Sequence, residues 1–370
     1  MKKGLDIIGK VRKTELPVYL FFLVITFCKG IDLPGNSVVY LILYIFGVIL
    51  LGVNIFRQRF TLKELAIIGA LISLGVAILF YSHNSTPLFM IIAVLSMKDI
   101  KAKKILRMVF IVHLICFCSM VLLSSTGIID GGVTYHYRRA IGMTVRHNFG
   151  YISANLAQLH LLSLIILYYY AFEVKNKRMS GLFWGIISVI IYYFTRSRTS
   201  FYISLLFLMY QSFFSEMTKI KIIVAKIGKY SFILLSILTL FLAANYGNSL
   251  FVEKIDLILT GRLYYLNQVY DGYSIKLLGQ NISDGIFVDN SYFGLLYKDG
   301  LLMYAAACFS NMYFGSRWIK KKEYDKLVAC LFLNIMLFAE NYYLVPIANF
   351  VPLLYAEEAY SSRDKKESKT

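Results

Sequence analysis

Apolar runs recur from Leu16 to Tyr355, separated by short polar and basic segments. Runs of this length predict helices that cross a bilayer. Read against the thickness of a bilayer core, they make about twelve spans: 16–30, 38–56, 65–81, 87–97, 105–123, 149–171, 181–194, 201–214, 231–246, 291–314, 327–341 and 344–356. The runs are too long and too continuous for barrel strands, which alternate apolar and polar positions. The first run follows Met1–Glu15 without a small-residue cleavage site, so it reads as a span and not as a removed leader. Residues 1–356 are thus expected to form a single polytopic membrane domain, all-α, with a charged, disordered tail over 357–370. No repeat of helices suggests paired transporter halves.

Between spans, one connection stands out by length. The segment 246–290 is too long for a mere link. Within it Leu250, Phe251, Ile255, Ile258, Leu259, Leu263, Leu266 and Val269 recur at helical spacing. That periodicity predicts an amphipathic helix lying on the membrane surface.

Composition agrees: 58% of the 370 residues are hydrophobic. The net charge of +18 would suit a nucleic-acid partner, but the cations sit between apolar runs, as cytoplasmic anchors do, and nucleic acid is not expected. With the first segment inside, the inner connections hold 29 of the 39 Lys and Arg, and both termini fall in the cytoplasm. Ten cations remain outside, and six of those are arginines. Topology is indifferent to which cation is used, whereas phosphate recognition favours the guanidinium fork. Cys28, Cys116, Cys118, Cys308 and Cys330 lie in or beside apolar runs without paired spacing, and read as small buried residues. No His, Cys, Asp or Glu cluster has the spacing of a metal site, and no cofactor is expected.

Four outer segments could carry chemistry. Thr195-Arg196-Ser197-Arg198-Thr199-Ser200 joins two spans. Thr199 or Ser200 would cap the following helix, and a helix start beside Arg196 and Arg198 would seat a phosphate. The blander account is a pair of interfacial arginines on lipid headgroups. A second segment holds Arg138 and Arg139, then Arg146-His147-Asn148, with Asn148 a candidate N-cap of the next helix and His136 or His147 a candidate acid or base. Third, Arg262 is followed by Tyr264 and Tyr265, which suit a sugar ring or an aromatic belt equally well. Last, Asp289-Asn290-Ser291-Tyr292 offers helix caps, or a carboxylate base for a sugar hydroxyl at Asp289. Lys298 and Asp299 are placed to pair with each other, and Glu340 with an outer arginine.

Taken in order, Arg138, Arg139 and Arg146-His147-Asn148, then Thr195-Arg196-Ser197-Arg198-Thr199, then Gly261-Arg262, then Asp289-Asn290-Ser291-Tyr292 with Gly300, the chain resembles the Wzy polysaccharide polymerases, which share a superfamily with the O-antigen ligases. Related ligases often carry a histidine near the end of the long loop, where this chain has Asp289-Asn290. The resemblance implies a membrane glycosyltransferase of GT-C type in the bacterial plasma membrane, acting without a metal. It would join undecaprenyl-pyrophosphate-linked oligosaccharide repeat units at the outer face, moving the growing chain onto the non-reducing end of the next unit. Its partners would be the lipid-linked donor and acceptor, membrane lipids, and assembly proteins such as a flippase or chain-length regulator. The implied catalytic residues are Arg196, Arg198, Arg262 and Asp289. The implied substrate contacts are Arg138, Arg139, Arg146, His147, Asn148, Tyr264, Tyr265, Asn290, Tyr292 and Glu340. A ligase acting on another acceptor, or a carrier of lipid-linked sugars, are the alternative readings.

Overall fold

The computed structural model describes residues 12, 14–33, 37–138, 142–259, 261–282 and 285–367. In chain order the helices are α1 (Leu16–Gly30), α2 (Val38–Arg57), α3 (Leu62–Ser82), α4 (Thr86–Leu95) and α5 (Ala102–Ser125). Two strands follow, β1 (Val133–Arg138) and β2 (Gly142–His147). Then come α6 (Ala154–Ala171), α7 (Lys177–Thr195), α8 (Arg198–Met209, extended by a π turn over Tyr210–Phe214) and α9 (Thr218–Ala244). The last group is α10 (Leu250–Leu259), α11 (Arg262–Gly272), α12 (Ser291–Phe293, extended by a π turn over Gly294–Lys298), α13 (Leu301–Lys321), α14 (Tyr324–Ala339) and α15 (Val351–Glu367).

The fold is helical, with 74% of the described residues in helices. Among the described residues, six helices are long and apolar enough to cross a membrane: α2, α3, α5, α6, α7 and α9. Two shorter helices, α1 and α4, are also apolar. Large apolar side chains such as Ile42, Ile45 and Ile49 on α2, or Leu234, Ile237 and Phe241 on α9, face outward. A water-soluble surface would not tolerate such continuous stripes; a lipid-facing one requires them. The protein is a membrane protein.

The chain divides into two compact units, 1–57 with 99–217 and 58–98 with 218–370. In the first, α6 is buried on nearly every face, which accounts for its all-round apolar sequence. It packs against α5, α7 and α8, and α5 packs in turn on α1. A Cβ on Gly30 would come within 2.8 Å of the Cys116 Cβ, so the α1–α5 approach depends on a residue without one. In the second unit, α9 and α14 form the most extensive helix pair. There Gly228 admits the Leu327 carbonyl at a distance no side chain would allow. A polar bond crosses the same seam, Asn334 Nδ2 donating to Ser231 Oγ at 2.8 Å, and the Tyr292 hydroxyl on α12 donates to the Asn334 carbonyl at 2.8 Å. Such interhelical bonds stabilise by about 0.6–2 kcal/mol each in a membrane protein.

Several expectations need correction. The connection after α5 carries one antiparallel hairpin within the all-helical fold, with Val133 opposite His147 and Thr134 opposite Arg146. The surface helix of the long connection is two helices, because Gly261 adopts a left-handed φ of 84° between α10 and α11. The expected span 291–314 breaks at Gly300, whose φ of 95° and close approach to Gly279 end one helix and start another. The expected span 344–356 is non-helical up to Phe350; Asn349 Oδ1 accepts from Val351 N at 3.2 Å and starts α15. That helix continues through Glu367, where a disordered tail was expected. Glu358 anchors it, accepting from Lys321 Nζ at 2.6 Å and Arg317 Nε at 2.9 Å. Among the cysteines Cys118 is exposed on α5, whereas Cys28, Cys116 and Cys330 are buried as expected.

Candidate substrate-binding site

In the first unit Arg146, Arg196 and Arg198 gather about the turn between α7 and α8. Arg146, on β2, donates from Nε to the Thr195 carbonyl at 2.8 Å and from Nη2 to Asn155 Oδ1 at 2.5 Å. Thr195 is the last residue of α7, so the guanidinium sits where the helix presents unpaired carbonyls and partial negative charge. Arg196 then takes a left-handed φ of 53° and closes α7, its N–H reaching the Tyr192 carbonyl at 2.8 Å. Its guanidinium lies 4.9 Å from the centre of the Tyr193 ring, a cation–π contact.

The next helix starts one residue later. Ser197 is the N-cap of α8, not Thr199 or Ser200, and its side chain makes no capping bond. Arg198, the first residue of α8, is half-buried and makes no ion pair or hydrogen bond among the described residues. The chemical content of the corner is therefore a cation pair flanking a helix start whose N–H groups the cap leaves open. That combination favours an anion.

Other residues of this segment take structural positions. Asn148 is buried; its Oδ1 accepts from Thr134 Oγ1 at 2.9 Å and its N–H reaches the Gly132 carbonyl. It closes the base of the hairpin, while Ser153 is the N-cap of α6, which corrects the expected cap. His147 is exposed, with its ring 5.8 Å from Phe194. Arg139 lies outside the described residues, as do the side chains of His136 and Arg138.

The second constellation belongs to the second unit. Arg262 opens α11, and its Nη2 donates to Glu340 Oε1 at 2.8 Å. Their side chains are only 13% and 12% exposed. The expected pairing of Glu340 with an arginine is therefore present. The other terminal nitrogen, Nη1, is buried without a hydrogen-bond partner. Burial alone would lower the arginine pKa, but Glu340 and, more weakly, Asp289 outweigh it and raise it above the ordinary value. The guanidinium stays charged, with an unused donor.

Arg262, Asp289, Asn290 and Phe338 line one small pocket. Asp289 is exposed, whereas Asn290 is buried and caps the next helix, its Oδ1 accepting from Tyr292 N at 2.9 Å and Phe293 N at 3.1 Å. Asn290 Nδ2 donates to the Phe338 carbonyl at 2.7 Å, which ties the cap to the end of α14. Tyr292 is 1% exposed and its hydroxyl is bonded inside the helix bundle, so it is a core residue. Tyr264 is exposed and accepts from Gln268 Nε2 at 2.8 Å; Tyr265 sets its ring 5.7 Å from Phe287. Lys298 does not pair with Asp299, whose Oδ1 accepts from Asn84 Nδ2 at 2.7 Å.

One polar pair was missed in the sequence. His113 on α5 and His160 on α6 are buried, with Nε2 of the first 2.7 Å from Nδ1 of the second. The available signal was a histidine in the middle of each apolar run. No group of three or more His, Cys, Asp or Glu among the described residues could hold a metal ion. No family model, no curated protein and no solved structure matches the chain.

Proposed function

We propose that the protein polymerises undecaprenyl-pyrophosphate-linked oligosaccharide repeat units at the outer face of a bacterial plasma membrane, with about twelve spans, a GT-C-like architecture and both termini in the cytoplasm. The observation that carries this reading is Arg198, a guanidinium with no ion pair or hydrogen bond among the described residues, at an uncapped helix start next to Arg196. A diphosphate is the ligand chemistry that such a seat favours.

In the reaction the bond between the anomeric carbon and the donor diphosphate breaks, and an acceptor hydroxyl oxygen bonds to that carbon. Negative charge collects on the departing diphosphate, where Arg196 and Arg198 stabilise it. In the second unit, taken by itself, Asp289 is an exposed carboxylate suited to accept a hydroxyl proton. In the same unit Arg262 keeps an Nη1 donor with no hydrogen-bond partner among the described residues. Arg146 works differently, since its bonds to Thr195 and Asn155 hold the corner in shape.

The test uses purified protein with a lipid-linked repeat unit, scored for product ladders. Arg198→Ala should slow ladder formation by about a hundredfold to a thousandfold, the usual effect of removing one charged donor from a developing anion. Arg198→Lys should recover only part of the rate, because an ammonium cannot form the two-pronged contact. Full-length polymer from Arg198→Ala at normal protein levels would overturn the assignment. A single shifted product on another acceptor would point to a ligase.

A further inference from the structure

The second unit contains an apolar cavity of about 330 Å³ that the proposed chemistry does not use. Its walls come from α3, α4, α13 and α15, including Ile67, Leu71, Met90, Ala306 and Tyr355. The packing explains the gap. α3 lies against α4, and α15 against α4 and α13, but α3 and α13 do not pack closely on each other. Ile67, on the cavity wall, is 52% exposed, so the cavity communicates with the outer face of α3. The size falls in the range of small-molecule sites, roughly 300–1,000 Å³.

The one charged residue among the described lining residues is Glu64, in the first turn of α3. Glu64 lines the cavity, and its carboxylate is held by Lys98 Nζ at 3.3 Å and by Thr61 N at 2.7 Å. Lys98 Nζ also donates to the Arg59 carbonyl at 2.6 Å. Arg59 and Lys63 are exposed on the same stretch of chain as Glu64, which adds two cations to that end. This is the end that the charge pattern of the sequence assigns to the cytoplasm.

We propose that this cavity holds an acyl chain of an anionic phospholipid, its phosphate among Lys98, Arg59 and Lys63. The apolar walls match a hydrocarbon chain, the net positive mouth matches an anionic headgroup, and the opening beside α3 faces the lipid phase. An unfilled apolar space of this size between membrane helices would forfeit the contacts of its lining, whereas a chain restores them.

The test is native mass spectrometry of the delipidated full chain with palmitoyl-oleoyl phosphatidylglycerol, phosphatidylcholine of the same chains, and undecaprenyl phosphate. Wild type should retain phosphatidylglycerol in preference to phosphatidylcholine. Ala306→Trp, which fills the cavity, should cut retention at least about tenfold, while Ala305→Trp, on the exposed face of the same helix, should leave it unchanged. Photoreactive-acyl phosphatidylglycerol on wild-type protein gives a readout independent of whether the variants fold, and should label peptides from α3 and α13. Equal retention by Ala306→Trp and wild type, labelling confined to other helices, or displacement of phosphatidylglycerol by equimolar undecaprenyl phosphate would overturn the proposal.

Discussion

Replacing Glu340 with glutamine would strand a buried cation. Arg262 and Glu340 are 13% and 12% exposed and 2.8 Å apart, and Arg262 already has one terminal nitrogen without a partner. Neutralising Glu340 leaves the guanidinium, among the described carboxylates, with the exposed Asp289 to balance it. Breaking one side of a buried pair costs about 3–5 kcal/mol, mostly because the remaining charge is uncompensated. At roughly 2–4 °C per kcal/mol, the unfolding midpoint should drop by about 6–20 °C. Removing both charges in the double variant Arg262→Met, Glu340→Leu should recover most of that loss, since apolar replacement of an entire buried pair is often neutral. Thermal unfolding in detergent, followed by intrinsic fluorescence, measures both. The double variant also separates stability from chemistry: it should be folded yet lack glycan polymerisation. An unchanged midpoint for Glu340→Gln would refute the electrostatic argument, and full activity of the double variant would reduce Arg262 to a structural role.

Asp299, in the break before α13 and outside the candidate spans, has its carboxyl pushed up to about 7 by burial, with the Asn84 bond and Lys298 partly opposing this. The folded protein then keeps a proton that the unfolded chain releases near 3.8, so the stabilisation is complete below that value and is lost as pH rises to about 7. Asp299→Asn should therefore flatten the pH dependence of the unfolding midpoint between these limits and raise the midpoint at pH 8; an unaltered pH profile would contradict it. Gly228→Ala would drive a methyl group into the Leu327 carbonyl and should destabilise the α9–α14 pair by about 1–3 kcal/mol, read as a lower midpoint.

Long apolar periodicity was legible in the sequence: the expected spans 38–56, 65–81, 105–123, 149–171, 181–194 and 231–246 overlap α2, α3, α5, α6, α7 and α9. Charge did not mark where helices end. Lys219, Lys221, Lys226 and Lys229 were read as an inner connection, yet α9 starts at Thr218, because lysine is a good helix former and its long stem lets the charge reach water. The breaks at Gly261 and Gly300 were harder to see, since they depend on left-handed backbone and, at Gly300, on the approach of Gly279 from another part of the chain. The hairpin did leave a period-two trace in Val133-Thr134-Tyr135 and Met143-Thr144-Val145, but a purely helical expectation passed over it. At the candidate site the residue types were readable, and the division of labour was not. Arg146, Arg196 and Arg198 look alike in sequence, and only three-dimensional bonding shows one committed to a helix end, one stacked on a tyrosine ring and one with no partner among the described residues.

The two bonds of Arg146 make β2 a brace for the turn between α7 and α8, although the strand is nearly fifty residues away in the chain. A lesion anywhere in that hairpin would loosen the brace and misalign Arg196 and Arg198 without touching either. Damage mapped to the strands would then masquerade as a defect in phosphate handling, and its cure would be a second-site change that re-anchors the turn.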